Sequence, residues 1–215
     1  MEQGLNADAA RPIRILCVDD HPIFRQGLAA VIASAEGLEL VAEAADGEQA
    51  LEAFARTLPD VTLMDLRLPG MSGTETIAAI RAAHPYARVV VLTTETGDAQ
   101  IQHALAAGAM GYVLKGMAMN ELVAIIRAVN SGRTSIPGLV ATQLAEHLGE
   151  KDLSPREVEV LRLIAHGHSN KAVAAALSIS DETVKMHVRN CMSKLGARDR
   201  THAVTTAIRR GFISL

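Results

Sequence analysis

Residues 13–20, IRILCVDD, decide the first part of the fold, because a short apolar run ends there in two aspartates. Residues 61–65, VTLMD, repeat the arrangement with one aspartate, and residues 111–115, GYVLK, end an apolar run in lysine. Runs of this length that are rich in Val, Ile and Leu are typical of strands in a sheet covered on both faces. The sequence therefore predicts charged residues at the ends of several buried strands.

Five such runs alternate with five segments of helical periodicity, which predicts a doubly wound, five-stranded parallel α/β sheet. The predicted strands are Ile13–Val18, Leu38–Ala44, Val61–Leu66, Arg88–Thr93 and Gly111–Leu114. The predicted helices are roughly Ile23–Ser34, Gly47–Leu58, Gly73–His84, Ala99–Ala107 and Met119–Ser131. Folds of this class bind ligands at the carboxyl ends of their strands, so the charged strand ends form a candidate site.

The residues at these strand ends suit one kind of chemistry. Asp19, Asp20 and Asp65 would bring three carboxylates together, an arrangement that is tolerated if it holds a hard cation such as Mg²⁺. A carboxylate beside Mg²⁺ can attack a phosphoryl group, while Lys115 neutralises one phosphoryl oxygen and the hydroxyl of Thr93 donates to another. Each residue alone has a structural interpretation as a helix cap, a strand residue or a surface charge. Their occurrence together favours a phosphoryl site.

Four motifs, in this order and spacing, resemble those of the receiver domain of two-component response regulators. They are CVDDHPIFRQGL (17–28), LMDLRLPGMSG (63–73), VVVLTT (89–94) and GYVLK (111–115). The resemblance covers residues 12–131 and implies that a sensor histidine kinase phosphorylates Asp65. It also implies a Mg²⁺ cofactor that Asp20 and Asp65 bind directly. Asp19 would reach the ion through water, and Arg67 would contribute its backbone carbonyl.

The same resemblance implies further roles around the phosphoryl group. Thr93 and Lys115 would contact the phosphoryl oxygens, and Tyr112 would be the aromatic residue that turns inward when the threonine moves towards the phosphate. The alternative for Tyr112 is a half-buried aromatic residue of the fifth strand. Arg67 and Glu95 stand where this family flanks the site, so they are candidates for a salt bridge across its mouth.

Beyond the receiver-like region, residues 132–152 predict a partly helical linker. Within it, Leu139–Leu148 has the composition of a short helix. Residues 153–215 have helical periodicity throughout, which predicts a separate all-α domain. This domain starts with SPRE at 154–157, a capping box with proline at the first helical position.

Residues 169–195 predict two helices joined by a short turn. Ser169 caps the first of them, and Ser180 caps the second, which runs over Asp181–Leu195. The spacing places one apolar stripe on the second helix, formed by Val184, Val188, Cys191 and Leu195. The opposite face carries cations. A solvated amphipathic surface is the alternative, but the preceding helix and turn favour a helix-turn-helix that docks in the DNA major groove.

The stretch LSPREVEVLRLIAHGHSNKAVAAALSISDETVKMHVRNCMSKLG resembles the LuxR-type DNA-binding domain of NarL/FixJ response regulators, and the likeness extends over residues 153–213. It implies that double-stranded DNA is a partner. The implied major-groove contacts are Lys185, Met186 and Arg189, and the implied phosphate contacts are Asn170, Lys171 and Thr183. A last helix, about Asp199–Arg210, resembles the family's dimer contact, and a homodimer is expected after phosphorylation. The orientation of Ala203, Val204 and Ala207 on that helix is left open.

Charge and composition agree with two domains that have different partners. Residues 1–130 contain 9 Lys and Arg against 16 Asp and Glu, whereas residues 153–215 contain 10 against 5. An acidic half suits cations, and a basic half suits polyanions such as DNA. The sequence shows neither an apolar run of about 18 residues, as a membrane span requires, nor a secretion signal at its N-terminus. We therefore expect a cytoplasmic protein without a membrane partner.

The cysteines and one histidine pair have structural interpretations. Cys17 and Cys191 lie far apart within apolar patterns, which predicts reduced core residues. His166 and His168 have a spacing that suits metal binding, but without further ligands nearby a role at the end of a helix is favoured.

Together these patterns favour a phosphorylation-controlled transcription regulator that is not an enzyme, and two alternatives stay open. One is a phosphorylation-independent DNA-binding regulator with an atypical receiver. The other is a Mg²⁺-dependent phosphohydrolase that uses Asp65 as its nucleophile, which requires a general acid two residues later, where Arg67 stands. A LuxR-type sensor of small molecules is disfavoured, because its ligand domain would not carry this set of carboxylates and lysine.

Overall fold

The computed structural model describes residues 11–94, 97–147 and 152–213. The chain divides into two compact units. Of the described residues, the first unit contains 11–94 and 104–137, and the second contains 97–103, 138–147 and 152–213. Residues 97–103, which the sequence assigns to the first domain, thus belong to the second unit. The domain boundaries after residues 131 and 152 stay predictions.

A five-stranded sheet forms the centre of the first unit, and all of its paired strands are parallel. The strands are β1 (Ile13–Val18), β2 (Leu38–Ala44), β3 (Val61–Asp65), β4 (Val89–Thr93) and β5 (Gly111–Leu114). Their spatial order is β2-β1-β3-β4-β5, so the strands that precede the aspartates are neighbours. The predicted α/β fold is confirmed, with strand ends within one residue of those predicted.

Ten helices are assigned among the described residues. The first five are α1 (Pro22–Ser34), α2 (Gly47–Thr57), α3 (Gly73–Ala83), α4 (Asp98–Ala106) and α5 (Met119–Asn130). They are followed by α6 (Gly138–Glu146), α7 (Pro155–Ala165), α8 (Asn170–Leu177), α9 (Asp181–Lys194) and α10 (Arg200–Arg209). The predicted helix-turn-helix region is therefore confirmed as α8 and α9. Within the described ranges, the helices are too short or too polar to cross a membrane.

The strands that carry the site are the most deeply buried elements of the first unit. Every residue of β3 and β4 is buried, and two apolar side chains from each strand join those of α1 and α5 in one core; they are Val61, Leu63, Val90 and Leu92. Gly73 allows α3 to start directly against the end of β3, because a Cβ atom there would lie 2.0 Å from the backbone oxygen of Asp65. Ser72 and Glu75 form a capping box that fixes this helix start. The sequence thus fixes the start of α3 against the backbone of Asp65.

Helix α7 starts as the sequence predicts. Ser154 and Glu157 form the expected capping box, and Glu157 Oε2 also accepts a hydrogen bond from Lys194 Nζ at 2.7 Å. Burial acts to raise the pKa of Glu157, but the bonds from Lys194 and Ser154 outweigh it and lower the pKa below its ordinary value. This ion pair ties the end of α9 to the start of α7.

The last helix, α10, carries the three residues whose orientation the sequence left open, and the structure turns two of them towards the core. Ala203 and Ala207 are completely buried, and Val204 is half-buried. They pack in a core of the second unit that also contains Ala99 and Phe212. Ala203 and Ala207 therefore serve the core of this unit in the present structure.

Residues 97–103 complete the second unit through a buried ion pair. Arg210 Nε lies 3.1 Å from each carboxylate oxygen of Asp98, and its Nη2 lies 2.7 Å from Oδ2. The backbone N–H of Ala99 donates to the carbonyl of Arg210 at 3.1 Å. Side chain and backbone thus hold the start of α4 to the end of α10.

Candidate functional site

The three aspartates predicted at strand ends lie together in the first unit. Asp19 and Asp20 follow β1, and Asp65 ends the adjacent strand β3. Asp19 is completely buried and Asp65 is 3% exposed, whereas the side chain of Asp20 keeps 36% of its exposure. The pairing of β1 with β3 therefore brings two buried carboxylates and one accessible carboxylate to the same edge of the sheet.

Lys115, which follows β5, neutralises part of this charge. Its Nζ atom lies 2.6 Å from Oδ2 of Asp19 and 2.6 Å from Oδ2 of Asp65. It also lies 4.7 Å from the centre of the Phe24 ring, a cation–π distance. Burial alone would lower the pKa of Lys115, but the two carboxylates raise it above its ordinary value. Lys115 is consequently a charged group that is held in place on both sides.

Asp65 has the electrostatic setting of a nucleophile. Burial raises the pKa of its carboxyl group above the ordinary value, and the nearby charge of Asp19 acts in the same direction. Two contacts oppose this shift: Lys115 donates to Oδ2, and the backbone N–H of Arg67 donates to Oδ1 at 3.1 Å. A carboxylate with a raised pKa is more basic, so it attacks an electrophilic phosphorus atom more readily once ionised.

His21 belongs to this cluster, although the sequence analysis gave it no role. Its Nδ1 atom lies 2.6 Å from Oδ1 of Asp20 and 3.3 Å from Oδ1 of Asp19. One ligand atom from each of four side chains lies within 4.8 Å of the other three; they are Asp19, Asp20, His21 and Asp65. The signal that could have revealed it is a histidine directly after the aspartate pair.

The donor set and its charge fit a divalent cation. When the three carboxylates are ionised and Lys115 is protonated, these four side chains carry a net charge of minus two, which one divalent ion would balance. Oxygen ligands on opposite sides of Mg²⁺ lie about 4.2 Å apart, since each is about 2.1 Å from the ion. Ligand atoms within 4.8 Å of one another need only small shifts to reach such a geometry. The cluster is thus compatible with a divalent metal.

Thr93 and Tyr112 lie on the neighbouring strands β4 and β5. Thr93 ends β4 and is 1% exposed, and Tyr112 is completely buried. Their side chains share a hydrogen bond, and burial raises the pKa of the Tyr112 phenol far above its ordinary range. Tyr112 therefore lies inward in this structure. Glu95 lies outside the described residues, so its salt bridge with Arg67 stays a prediction.

The second candidate surface is the helix-turn-helix. Ser178, in the left-handed conformation with φ of 54°, ends α8, and Ser180 caps α9 by accepting a hydrogen bond from the Thr183 N–H at 3.0 Å. On α9, Val184 and Cys191 are completely buried, which turns the predicted apolar stripe inward. The opposite face of α9 is consequently the one exposed to solvent.

This exposed face carries the predicted base contacts. The side chain of Arg189 is 71% exposed, and Lys185 and Met186 are exposed as well. Lys185 Nζ lies 2.9 Å from Asp181 and 3.3 Å from Glu182, and Arg189 lies 3.7 Å from Glu182. Hydrogen bonds to Asp181 and Glu182 raise the pKa of Lys185. Both cations are therefore paired with acidic residues of their own helix.

The predicted phosphate contacts surround the start of the two helices. Asn170 and Lys171 are the first residues of α8, and Thr183 lies in the first turn of α9. Lys171 is exposed, whereas the hydroxyl of Thr183 lies 2.8 Å from that of Ser180 and takes part in the cap. The buried Oδ1 atom of Asn170 has no hydrogen-bond partner within the described part of the chain. Positive helix ends of this kind attract phosphate groups.

The chain is similar to other proteins over almost its whole length. The transcriptional regulatory protein LnrK of Bacillus subtilis (strain 168) is 38% identical over 215 residues, covering 93% of this chain and 98% of the relative. The nitrate/nitrite response regulator protein NarP of Escherichia coli (strain K12) is 38% identical, covering 90% of this chain and 94% of the relative. Among solved structures, the response regulator ChrA of a heme-sensing two-component system is 36% identical and has a TM-score of 0.57. The match covers 94% of this chain and 99% of the ChrA chain. The response regulator RcsB in its complex with DNA is 27% identical and has a TM-score of 0.67. The match covers 93% of this chain and 99% of the RcsB chain.

Two family profiles match the chain in the order of its predicted domains. The response regulator receiver domain matches residues 15–127, and the luxR family of bacterial regulatory proteins matches residues 151–207. Fold, site and profiles define the class as DNA-binding transcription regulators with a receiver domain. The chain belongs to the family of two-component response regulators with a LuxR-type helix-turn-helix, as the NarL and NarP proteins do. Its receiver domain places DNA binding under the control of phosphorylation.

Proposed function

We propose that a sensor histidine kinase phosphorylates Asp65, and that the phosphoryl group controls DNA binding through α8 and α9. The observation that carries the proposal is the buried Asp65 carboxylate, which has a raised pKa and lies 2.6 Å from Lys115 beside further carboxylates. A cavity of about 730 Å³ opens next to it, and Asp65, Thr93 and Lys115 contribute to its wall. The carboxylate therefore borders a cavity through which a phosphodonor can approach, although most of its side chain is buried.

The chain's own residues account for the transfer. A carboxylate oxygen of Asp65 attacks the phosphorus atom of a phosphohistidine, the phosphorus–nitrogen bond breaks, and the departing imidazole takes up a proton. Lys115 moves its contact from the carboxylate to a phosphoryl oxygen. Asp20 and Asp65 would hold Mg²⁺ directly, with Asp19 acting through water and Arg67 through its carbonyl. A bound Mg²⁺ supplies positive charge that offsets the negative charge of the phosphoryl oxygens.

Thr93 and Tyr112 can convert this local event into a change of surface. The Thr93 hydroxyl has a single proton, so once it donates to the phosphoryl group its hydrogen bond with Tyr112 can only be one in which Tyr112 donates. Because Tyr112 is completely buried, a change in this hydrogen bond also changes how the side chains of β4 and β5 pack. The phosphoryl group thus favours one arrangement of the receiver over another, which we propose is the arrangement that forms a homodimer on paired DNA half-sites.

For DNA we propose direct base contacts from the exposed face of α9. Lys185 and Arg189 have the length and charge to reach guanine edges or phosphates, and Met186 is suited to a thymine methyl group. The phosphate contacts are proposed to come from Asn170, Lys171 and Thr183. The helix-turn-helix geometry and the outward orientation of these cations support this assignment.

Replacement of Asp65 tests the phosphorylation site. Asp65→Asn is expected to abolish acid-labile phosphate incorporation from a low-molecular-weight phosphodonor with Mg²⁺, because the amide cannot act as the nucleophile. Asp46→Asn is the matched control, since Asp46 caps α2 through Gln49 and asparagine caps equally well. Label that persists on Asp65→Asn at the wild-type level would refute the assignment.

Replacement of cations tests the DNA surface. Lys185→Ala combined with Arg189→Ala should remove specific footprints, since each good base contact contributes about 1–3 kcal/mol of discrimination. A control with the same loss of charge is Arg56→Ala combined with Arg162→Ala, two exposed positions on α2 and α7. Affinity of the wild type should fall steeply with salt. Footprints that survive the first pair, or are lost equally in both, would contradict the proposed surface.

We further propose that the protein has no efficient phosphatase turnover and works in the cytoplasm. A hydrolase that uses Asp65 needs a general acid close by, and the guanidinium of Arg67 does not give up its proton in proteins. Double-stranded DNA as a partner is the support for the location. A steady-state assay with phosphate monoesters checks the first point, and turnover that depends on Asp65 would favour the phosphohydrolase instead.

A further inference from the structure

We propose that Nδ1 of His21 is a metal ligand, which makes the Asp19–Asp20–Asp65 cluster a mixed carboxylate and imidazole site for a divalent transition metal. This site coincides with the place proposed for Mg²⁺. The inference rests on the proposed function only in that both place a divalent ion among these carboxylates.

The local backbone directs His21 towards the carboxylates. His21 immediately precedes α1 and is extended, with φ of −91° and ψ of 106°. Pro22 at the first helical position disfavours a helical conformation for His21, so the extended backbone follows from the sequence. The N–H of His21 donates to Oδ1 of Asp19 at 2.9 Å, and its ring makes no helix-capping hydrogen bond. The ring is consequently available to the cluster.

Distances place the imidazole within coordination range. Nδ1 lies 2.6 Å from Asp20 Oδ1 and 3.3 Å from Asp19 Oδ1. Neighbouring ligands of a transition metal are about 2.8–3 Å apart and opposite ligands about 4.2 Å apart, given metal–nitrogen and metal–oxygen distances of about 2.0–2.2 Å. The chosen donor atoms of His21 and the three aspartates all lie within 4.8 Å of one another. Small rotations of side chains would bring them around one ion.

The chemistry of the donors distinguishes the metals. Mg²⁺ favours oxygen ligands and keeps several waters, so an imidazole adds little to its binding. Imidazole suits zinc, copper, iron and nickel, and the affinity of a mixed nitrogen and oxygen site rises from Mn²⁺ through Co²⁺ to Ni²⁺ and Cu²⁺. His21 therefore shifts the selectivity of this cluster towards transition metals, which would compete with Mg²⁺ for the same carboxylates.

A counter-ion role for His21 is the outcome that competes with ligation. A protonated imidazole next to Asp19 and Asp20 would simply offset their charge in the metal-free protein. Its removal would then change the binding of all divalent cations alike, because the effect is electrostatic. As a metal ligand, by contrast, the imidazole would strengthen the binding of only those ions that accept nitrogen donors. The two roles thus differ in selectivity.

The experiment measures metal binding rather than phosphorylation. Calorimetric titrations of the metal-free full-length protein with CoCl₂ and MgCl₂ compare wild type, His21→Gln and His168→Gln. We expect His21→Gln to weaken Co²⁺ by about 10-fold or more, a loss that even changes to indirect metal partners can reach, and Mg²⁺ by less than about twofold. His168→Gln, at an exposed histidine of the second unit, should leave both affinities unchanged.

A spectroscopic measurement keeps the proposal testable even if His21→Gln were unstable. Pulsed electron paramagnetic resonance of bound Mn²⁺ should show coupling to an imidazole nitrogen in wild type and in His168→Gln, and no such coupling in His21→Gln. Wild-type protein without nitrogen coupling, or an equal change in the Co²⁺ and Mg²⁺ affinities of His21→Gln, would overturn the proposal. Neither result concerns the labelling of Asp65 with Mg²⁺, so failure of this inference and failure of the proposed phosphorylation site are distinguishable.

Discussion

The two units differ in how many carboxylates surround a lysine or arginine that forms ion pairs. In the first unit, Lys115 contacts two buried carboxylates, and a third carboxylate lies close by. In the second unit, the buried Arg210 pairs with Asp98, and the half-buried Lys194 pairs with Glu157. A balanced pair satisfies its own charges, whereas the cluster carries an excess of negative charge that an ion or a phosphoryl contact can use. Burial of charge therefore stabilises one unit and prepares the other for a ligand.

The pKa directions express the same contrast. Burial raises the pKa of Asp65, so its ionised form is disfavoured in the folded protein. The pKa of Glu157 is lowered in spite of burial, because Lys194 and Ser154 stabilise its ionised form. Ionisation of Asp65 thus costs stability, and ionisation of Glu157 contributes stability. The two carboxylates are expected to respond to pH with opposite sign.

Loss of the Arg210 side chain should have the largest effect. Arg210→Ala would leave Asp98 as a buried carboxylate without its fork of hydrogen bonds, which costs about 3–5 kcal/mol. We expect a lower free energy of unfolding in urea and faster amide hydrogen exchange in α7 to α10. Arg209→Ala removes the same side chain from an exposed neighbouring position and should stay within about 0.5 kcal/mol of wild type. Equal losses in the two variants would show that the pair is not what stabilises this unit.

Neutralising Glu157 should have the second largest effect. Glu157→Gln keeps the shape of the capping box but removes the charge that faces Lys194, at a cost of about 1.5–3 kcal/mol for a charged hydrogen bond. Because the folded pKa is lowered, this contribution is present above the unfolded pKa of glutamate and is lost as pH falls through the folded pKa. Urea unfolding at neutral and acidic pH measures it.

A neighbouring glutamate provides the control for that experiment. Glu159 lies on the same helix, is exposed, and pairs with Arg156 at 2.7 Å. Glu159→Gln should change stability little, because exposed pairs contribute weakly. A Glu157→Gln difference that persisted unchanged in acid would contradict the assignment of the charge as its cause.

Neutralising Asp65 should act in the opposite direction. Asp65→Asn is expected to stabilise the first unit at neutral pH by about 0.5–2 kcal/mol, as is common when a functional site gives up its strain. The pKa of Asp65 is raised in the folded wild type, so protonation of Asp65 contributes to the free energy of unfolding. This contribution is fully present below the unfolded pKa of aspartate and is lost as pH rises through the folded pKa. The gap between variant and wild type should therefore narrow in acid. Thermal unfolding across pH measures this gap, and a destabilised variant at neutral pH would refute the idea of an unbalanced cluster.

Short-range signals in the sequence were sufficient for most of the fold. Buried strands, the SPRE capping box and the alternation of elements all appear within about one residue of their predicted positions. The aspartates and Lys115 could be predicted as neighbours because parallel strands end at one edge. His166 and His168 also follow the prediction, since their Nδ1 atoms lie 2.8 and 3.1 Å from carbonyl oxygens at the end of α7.

Long-range pairing could not be predicted in the same way. Asp98 and Arg210 are 112 residues apart, and each alone has the pattern of an ordinary surface charge. The inward orientation of Ala203 and Ala207 depends on which element packs against α10, and periodicity does not supply that element. His21 escaped notice because the distance of its ring from two carboxylates depends on backbone angles at a helix start. Tertiary context, rather than local preference, decides these features.

The smallest expected effect concerns the charged residues of α9. They form ion pairs, as Arg210 and Asp98 do, but these pairs are exposed to solvent. Glu182 contacts both Lys185 and Arg189, so DNA must displace it before these cations can reach bases or phosphates. Glu182→Gln should leave the unfolding transition unchanged, because exposed ion pairs contribute little. It should tighten DNA binding roughly two- to fivefold, since one weak competing contact is removed.

Titrations of a labelled operator fragment with the phosphorylated wild type and Glu182→Gln would measure this gain. Glu146→Gln, at the exposed end of α6, removes the same charge away from α9 and controls for net charge. The gain should shrink as salt increases, because screening weakens the Glu182 contacts in the wild type. Weaker binding by Glu182→Gln than by the control would mean that Glu182 itself contacts the DNA, for example a cytosine amino group, and is part of the recognition surface.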